Sequence, residues 1–362
     1  MPRCPEGQPR LALSFERPGG GAGGRRHTGR RPRILLTMGD PAGVGPEVVL
    51  KTLREPALRE RFDLAVVGSA AALRDWAGRL SIPLDADVVD AHEGAVPVEP
   101  GRPTVAGARA AVESVVRAAR LCQSGSADAM VTAPVTKATI AEAGYEFPGH
   151  TEFLARLTGV ESVVMTFVHG TRRIGLVTNH LSVAEVPSAL TIELVLDKLV
   201  ILARGLEESL GIAAPRIVVA ALNPHAGERG TIGDEERRII APAVAAAREV
   251  GVDAEGPYPA DSVFPRLGAV PAAGGARGFD AALAMYHDQA TIPVRVWGLA
   301  GGVNLTLGLP IVRASVDHGT ALDLAGSGAA DPGSAIAAVL LAGEIAARRA
   351  NRLDPADRRQ LE

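Results

Sequence analysis

Cysteine is scarce in this chain, whose 362 residues include only Cys4 and Cys122. Cys4 stands in an arginine- and glycine-rich segment without the pattern of a folded element, so we predict no disulfide between the two. So few cysteines exclude a fold held together by a disulfide framework and are typical of a reducing compartment. We therefore expect a cytoplasmic protein.

Long hydrophobic runs are also missing. No segment approaches the roughly 20 apolar residues that a membrane-spanning helix requires, and we expect no association with a membrane. The apolar patch LALSF, at residues 11–15, is shorter than the core of roughly 7–15 residues in a signal peptide. We interpret residues 1–32 as a disordered tail, or as sequence upstream of a later translation start.

A strong net charge is absent as well, since the formal charge is -3 and the isoelectric point is near 6.3. This excludes the basic character typical of a nucleic-acid-binding protein. Among the 38 basic residues, lysine occurs only at Lys51, Lys137 and Lys198. The bias towards arginine, alanine, glycine and proline is typical of a GC-rich coding sequence, so an arginine can stand where a lysine would serve.

Apolar residues make up 47% of the chain, enough for a large core that we expect to be divided between two domains. Continuous apolar strand segments alternate with amphipathic helical segments. RILLT at residues 33–37, for example, precedes a glycine-rich turn and a helix predicted to begin near Pro46. This alternation predicts an α/β protein with mostly parallel sheets covered on both faces. In such sheets ligands bind beyond the carboxyl ends of the strands.

The usual glycine fingerprint of a dinucleotide-binding fold is lacking. G-x-G-x-x-G occurs at residues 19–24, inside the tail, with no strand before it and no helix after it. GVGPEVVLKT resembles a phosphate-binding loop only superficially, because Leu50 precedes Lys51 where that motif has glycine. A nicotinamide cofactor would therefore have to be bound by another loop.

Three of the eight histidines share one context: His180, His225 and His287 each follow an apolar strand segment. A single histidine in such a place is more often structural or simply exposed. Three at equivalent strand ends favour a metal site, because neutral imidazole is a common metal ligand and three histidines leave open positions for catalysis. We expect the neighbouring Asp288 and Glu228 to orient the rings.

Cations and hydroxyls stand near other strand ends. Lys137, Arg295 and Arg313 indicate an anionic substrate, although a solvated surface role is the alternative for any one of them. Arg313 lies inside the apolar LPIVRASV and is the hardest to explain that way. Thr151 is either the N-cap of a helix or, with His150, a substrate contact at its positive end. The Pro-containing segment ATIPVR, which ends at Arg295, is predicted to be extended.

Several motifs occur together and in order: TMGDPAGVGPE, TAPVTK, PGHTEFLA, FDAALAMYHDQ and GVNLTLGLPIVRASVDHGTALDLAGSGAADPGS. Between about Arg33 and Arg349 the chain resembles the 4-hydroxythreonine-4-phosphate dehydrogenase family of pyridoxal phosphate biosynthesis. The resemblance implies an isocitrate/isopropylmalate dehydrogenase-like fold with two α/β/α domains and a central cleft. The first domain would comprise residues 33–132 plus 315–362. The second, residues 133–314, would carry the metal site and the interface of a homodimer.

The resemblance also implies the site residues. One divalent metal (zinc, magnesium or cobalt) would be held by three histidines, one of them from the partner subunit: His180, His225 and His287. Substrate contacts would fall on His150, Thr151, Asn304 and Arg313, and on Arg295, where the family has a lysine. NAD or NADP would lie on a loop carrying Gly319, Leu322, Gly326 and Gly328. We assign Asp288 and Lys137 proton-transfer roles as a hypothesis.

The implied reaction is oxidation of 4-phosphooxy-L-threonine at its C3 hydroxyl, followed by decarboxylation to 3-amino-2-oxopropyl phosphate. A paralogous dehydrogenase of threonate or erythronate 4-phosphate would use the same chemistry without an amine to recognise, and Arg295 is compatible with it. An acyl- or phosphotransferase-like protein is a more distant alternative, because such transfer needs no set of three histidines. A non-catalytic metal-binding protein or scaffold is the remaining alternative.

Overall fold

The computed structural model describes residues 30–94, 96–268, 278–298 and 301–352. Residues 1–29 of the predicted tail, with Cys4, therefore lie outside the described residues. Within these ranges, none of the helices is both long enough and apolar enough to cross a bilayer.

Eleven strands of the described residues form one continuous sheet. They are β1 (Arg33–Thr37), β2 (Asp63–Gly68), β3 (Asp87–Asp90), β4 (Ala129–Thr132), β5 (Val164–His169), β6 (Arg172–Leu176), β7 (Ile217–Ala220), β8 (Ala254–Tyr258), β9 (Ala281–Ala284), β10 (Val303–Leu307) and β11 (Arg313–Val316). Their order is β3-β2-β1-β4-β11-β10-β5-β6-β9-β7-β8. Neighbouring strands are parallel except for β10 with β11, β10 with β5, and β5 with β6.

The helices connect these strands. They are α1 (Gly45–Leu53), α2 (Pro56–Arg61), α3 (Ala70–Leu80), α4 (Val105–Gln123), α5 (Lys137–Glu142), α6 (His150–Thr158), α7 (Val186–Ala189), α8 (Ile192–Glu208), α9 (Ala241–Glu249), α10 (Ala260–Val263), α11 (His287–Trp297) and α12 (Gly333–Arg352). Short turns of 3₁₀ helix occupy Pro224–Gly230 and Phe264–Arg266, and one π-helical turn occupies Glu236–Ile240.

Local signals account for several boundaries. Pro46 lies in the first turn of α1, where its missing N–H costs nothing, as predicted. Thr104 caps α4 by accepting a hydrogen bond from Gly107 N at 3.1 Å, and Thr191 caps α8 in the same way. A side-chain cap of this kind stabilises a helix by about 1 kcal/mol.

Alternate residues of the central strands enter different cores. In β1, Leu36 packs into a cluster with Val339 of α12, whereas Leu35 packs into a second cluster with Val115 of α4. Since side chains of a strand alternate between its faces, helices cover both sides of the sheet. The predicted α/β class with a largely parallel sheet is confirmed. The division into two domains stays a prediction, and its boundary at residues 314–315 falls inside β11.

The segment after His287 was predicted to be extended. It instead forms helix α11, with Pro293 inside it. The prediction was wrong because it weighted the proline and the β-branched residues above the spacing of buried positions. Ala290 and Val294, four residues apart, pack together in a core cluster, whereas Ile292 and Val296 are exposed. Burial of this apolar stripe outweighs the one helical hydrogen bond that a proline cannot make.

Candidate active site

Segments that follow β4, β6, β9 and β11 meet around a cavity of about 410 Å³. Nine of the predicted site residues line it: Lys137, His150, Thr151, His180, His287, Arg295, Asn304, Arg313 and Gly319. The remaining predicted residues are not part of its wall: His225, Asp288, Leu322, Gly326 and Gly328. The cavity therefore lies where the carboxyl ends of the strands predicted a ligand site, although not every predicted residue lines it.

Arg313, the first residue of β11, is a buried cation with 2% of its surface exposed. Its guanidinium donates to Thr132 Oγ1 at 2.6 and 3.2 Å and to Thr306 Oγ1 at 3.0 Å. No carboxylate of the described chain forms an ion pair with it. Burial lowers its pKa to about 9, so it remains charged at neutral pH. Glu152 opposes this lowering from a distance. A surface role is excluded, and a buried charge without a directly contacting carboxylate favours an anionic ligand.

Two unpartnered polar atoms face the same space. His150 Nε2 and Asn304 Oδ1 are buried, and neither has a hydrogen-bond partner among the described residues. Each such atom costs about 1–3 kcal/mol unless a ligand satisfies it. Burial, with Arg313 and Lys137 nearby, holds the pKa of His150 well below its usual range, so the ring is neutral.

Thr151 is not the N-cap of α6, which is Gly149. It occupies the second position of the helix with 1% of its surface exposed, and it lines the cavity. The N-cap interpretation of Thr151 is therefore wrong, and its role as a substrate contact stays a prediction.

His180 and His287 lie side by side, with their ring centroids 5.8 Å apart. His287 Nδ1 is 2.8 Å from Asp288 Oδ1, and His180 Nδ1 is 3.7 Å from Glu152 Oε1. Each ring thus turns Nδ1 towards a carboxylate and keeps Nε2 for another partner. Metal-binding histidines have this arrangement, so the two residues fit a metal.

Glu152 and Gly149 fix the His180 side of the pair. Burial raises the pKa of Glu152, but its interaction with His180 and its hydrogen bond from Asn179 outweigh burial and hold the pKa at about 2. Asn179 Nδ2 donates to Glu152 Oε1 at 2.8 Å. A Cβ atom at Gly149 would lie 2.7 Å from Glu152 Oε2 and 3.2 Å from His180 Cε1. A larger residue at this position would therefore have to displace the Glu152 carboxylate, and with it the contact between Glu152 and His180.

His225 follows β7, and β6, β9 and β7 are parallel neighbours in the sheet, as the strand-end argument requires. It does not reach the other two histidines. The chain from His225 to Arg229 has left-handed backbone angles, with φ of 53° and 57° at its ends, and leaves His225 exposed. Within the described ranges no group of three or more His, Cys, Asp or Glu side chains is placed to hold a metal.

Sequence reasoning missed Asp317 and His318, which follow β11 directly and line the cavity. Arg295 Nη2 lies 3.5 Å from Asp317 Oδ1, and the Asp317 side chain is 7% exposed. Burial raises the pKa of Asp317 against the opposing effect of Arg295 and nearby histidines. His318 Nε2 is buried without a partner among the described residues. The rule applied to the other strand ends would have found both.

The predicted cofactor residues lie on the segment between β11 and α12, which we call the cofactor loop (residues 318–330). Gly319 borders the cavity, and a Cβ atom built there would meet nothing within 4 Å. With the unpartnered Nε2 of His318 beside it, this end of the loop has space and a free polar atom for a ligand. That this ligand is a dinucleotide stays a prediction. Leu322, Gly326 and Gly328 extend away from the cavity.

Comparisons with known proteins place these observations in a family. The family model described as "Pyridoxal phosphate biosynthetic protein PdxA" matches residues 56–342. The chain is 46% identical to a protein of Geobacter metallireducens named 4-hydroxythreonine-4-phosphate dehydrogenase, over 87% of this chain and 96% of that one. It is 40% identical to a Bradyrhizobium diazoefficiens protein named "Putative D-threonate 4-phosphate dehydrogenase", over 87% and 96%.

A solved structure gives the same result. The crystal structure of 4-hydroxythreonine-4-phosphate dehydrogenase from Klebsiella pneumoniae superposes with a TM-score of 0.76 at 36% identity. The match covers 87% of this chain and 99% of that one.

Proposed function

The chain belongs to the PdxA family of pyridoxal phosphate biosynthetic proteins, and we propose that it is a dehydrogenase that oxidises 4-phosphooxy-L-threonine with NAD or NADP. When bound, NAD or NADP would supply the hydride acceptor for oxidation at C3, where the substrate hydroxyl also loses its proton. The resulting β-keto acid loses CO₂, and C2 takes up a proton to give 3-amino-2-oxopropyl phosphate.

The observation that carries this proposal is the buried charge of Arg313 in the cavity wall, whose direct hydrogen-bond partners are hydroxyl groups and not carboxylates. A phosphate group would place an anion in direct contact with the guanidinium and accept charge-assisted hydrogen bonds from it. His150 and Asn304 present buried, unpartnered polar atoms to the same ligand. Thr151 adds the positive end of α6. Together these residues would hold the substrate still, which is how positioning lowers the barrier of a hydride transfer.

His180 and His287 would hold a divalent metal through their Nε2 atoms, with Asp288 and Glu152 orienting the rings. When bound, such a metal lowers the pKa of the substrate hydroxyl and stabilises the product ketone. The contact of Asp288 with His287 supports its orienting role. Its proton-transfer role stays a prediction, and Lys137, exposed at the cavity, is the better placed of the two.

We propose that His225 reaches the metal from a second copy of the chain. It is exposed and apart from the other two histidines within one chain. Apolar side chains beside those histidines are exposed as well: Leu181, Val183, Ile292 and Val296. Ile292 and Val296, one turn apart on α11, form the kind of stripe that buries itself against a partner. A homodimer would cover this face and complete the metal site.

A second candidate substrate is threonate or erythronate 4-phosphate. It is supported by the name of the Bradyrhizobium relative, and Arg295 is compatible with it. The two candidates differ in whether the substrate carries an amine, whereas the phosphate and the hydroxyl are common to both.

The test is an assay of purified enzyme with both classes of substrate, with NAD and NADP, and with zinc, magnesium or cobalt. We expect metal-dependent reduction of the cofactor and release of CO₂ with 4-phosphooxy-L-threonine. A kcat/KM that is higher with threonate or erythronate 4-phosphate than with 4-phosphooxy-L-threonine would favour the second candidate substrate. Absence of cofactor reduction with every combination would refute both.

We also propose a cytoplasmic location. It is supported by the buried, unpaired Cys122, whose pKa burial raises to about 12. Such a thiol is unreactive and needs no oxidising compartment.

A further inference from the structure

Lys51, one of only three lysines, is tied to a distant part of the chain. From the last turn of α1 its ammonium group donates to Gly328 O and Ala330 O, both at 2.7 Å, and to Glu47 Oε1 at 2.8 Å. An ammonium group has three donors, so all are used. Lys51 therefore has no donor left for a phosphate. GVGPEVVLKT thus does not act as a phosphate-binding loop, despite its superficial resemblance to one.

Glu47 completes the attachment. Its side chain is fully buried, and Oε1 also accepts a hydrogen bond from Ala330 N at 2.8 Å. Ala330 is thus held at both backbone groups, its N–H by Glu47 and its carbonyl by Lys51. The Lys51–Glu47 pair is largely withdrawn from water, with the lysine side chain 22% exposed. Removing either partner would leave the other charge buried and uncompensated.

The start of the cofactor loop is held by the same part of the chain. Val44 N, at the beginning of α1, donates to Thr320 O at 2.9 Å. Gly43 packs so closely that a Cβ atom there would lie 2.8 Å from the same oxygen. The segment Gly43–Lys51 therefore fastens the cofactor loop at Thr320 and again at Ala330. The stretch from Gly326 to Ala329, between these points, is exposed.

We propose that Lys51 is a positioning residue for the cofactor, one that acts by fixing the cofactor loop before the dinucleotide arrives. The inference rests on the proposed function, since it takes this loop as the dinucleotide site. A loop already held in its binding conformation loses less conformational entropy on binding, so its attachment strengthens the affinity for the dinucleotide. Lys51 does not touch the reacting atoms, so the chemical step is unaffected once the cofactor is bound.

The test compares Lys51→Met with Lys51→Arg and with a matched control, Lys198→Met. Lys198 also donates to a backbone carbonyl, that of Val163 at 2.9 Å, but none of its partners belongs to the cofactor loop. Three quantities are measured: hydrogen exchange of residues 319–333 in the enzyme without and with NADH, the Kd of NADH by fluorescence titration, and the KM for NAD together with kcat.

For Lys51→Met we expect faster exchange in the loop and a Kd and KM for the dinucleotide raised about tenfold, because a released loop must be ordered when the dinucleotide binds. At saturating NAD, kcat should stay within about twofold, because the positioning of the bound substrate is unchanged. Lys51→Arg keeps the charge and should fall between wild type and Lys51→Met. Lys198→Met should match the wild type in loop exchange and in NADH affinity.

Two results would overturn the inference. The first is a Lys51→Met variant whose Kd, KM and loop exchange equal those of the wild type, and this result would leave the proposed function intact. A wild-type enzyme that turns over substrate with NAD, but shows no protection of its loop by NADH, would remove the loop as the cofactor site. If Lys51→Met fails to fold, Lys51→Arg decides the question alone. A planar guanidinium cannot reproduce the three contacts, so unchanged exchange and affinity in that variant would contradict the proposal.

Discussion

Arg295 and Asp317 face each other at the rim of the cavity, with Nη2 of the arginine 3.5 Å from Oδ1 of the aspartate. The aspartate side chain is 7% exposed and the arginine side chain 46% exposed. Arg295 is therefore anchored on one side and free to meet a substrate on the other. Since an arginine does not release its proton near neutral pH, it serves here as a contact and not as an acid or base.

Arg295→Lys should retain kcat/KM within about fivefold of wild type, because a lysine still presents a cation to the substrate. Arg295→Met should lower kcat/KM by roughly 10–100-fold, as expected for loss of a charged hydrogen bond. Steady-state kinetics with both candidate substrates measure this. A reversal of substrate preference in Arg295→Lys would instead identify this residue as the determinant of specificity.

Arg313→Met should affect substrate affinity and the thermal stability of the protein to different degrees. Substrate affinity should fall by about 100-fold or more, the usual consequence of removing one partner of a buried charge pair. The Tm of the ligand-free protein should change little, because an apolar side chain replaces a cation that has no carboxylate partner in the described structure. Thermal unfolding with and without substrate measures both effects. A large loss of Tm without any change in substrate affinity would make Arg313 structural.

Asp288→Asn should weaken metal affinity by about 10–100-fold, as for other carboxylates that orient a metal-binding histidine. The shape of the pH–rate profile should stay that of wild type. Metal titration and kinetics across the pH range test both points. Asp75→Asn, which disrupts only a surface pair with Arg79 on α3, is the control. A profile that loses one limb in Asp288→Asn would restore the proton-transfer hypothesis.

The neutral state of His150 predicts a dependence of stability on pH. Its pKa is lowered in the folded protein, so below the ordinary value of about 6.5 the unfolded chain binds a proton that the folded chain does not. The free energy of unfolding should therefore fall with pH below this value, by up to about 1.4 kcal/mol per unit. His150→Asn should show a shallower slope between pH 7 and 5 in urea unfolding. Equal slopes would mean that His150 is protonated in the folded state.

If His225 comes from a second copy, two inactive variants should complement each other. His180→Ala and His225→Ala should each be inactive alone. In a mixed dimer one of the two sites retains every histidine, so a random mixture should recover about a quarter of wild-type activity. Co-expression with two different tags allows the mixed dimer to be isolated. A mixture as inactive as its components would place all three histidines on one chain.

The sequence was sufficient for the fold class and for the position of the cavity. The alternation of strands with helices is visible in the local spacing of apolar residues. The polar residues at the strand ends meet because the carboxyl ends of parallel strands lie at the same edge of the sheet. His180 and His287 were found in this way. The helical structure of the segment after His287 could not be predicted in this way. Its proline and β-branched residues disfavour a helix, and only burial of its apolar stripe in the core makes the helix favourable.

Other features depend on contacts that no local pattern reveals. The left-handed path from His225 to Arg229 turns the third histidine away, and nothing in NPHAGERG specifies that sequence of angles. Lys51 and Ala330 are 279 residues apart in sequence, so their contact follows from the fold alone. Asp317 and His318 follow β11 directly, so the same strand-end pattern that indicates the other site residues also applies to them.

The threonine partners of Arg313 have a consequence for the resting enzyme. Hydroxyl groups orient a guanidinium but do not neutralise it, so the charge of Arg313 is available to anions other than the substrate. Any small tetrahedral oxyanion in solution is then a competitor for the place of the substrate. Inorganic phosphate should act as a competitive inhibitor, and turnover in a cell would slow when free phosphate is abundant.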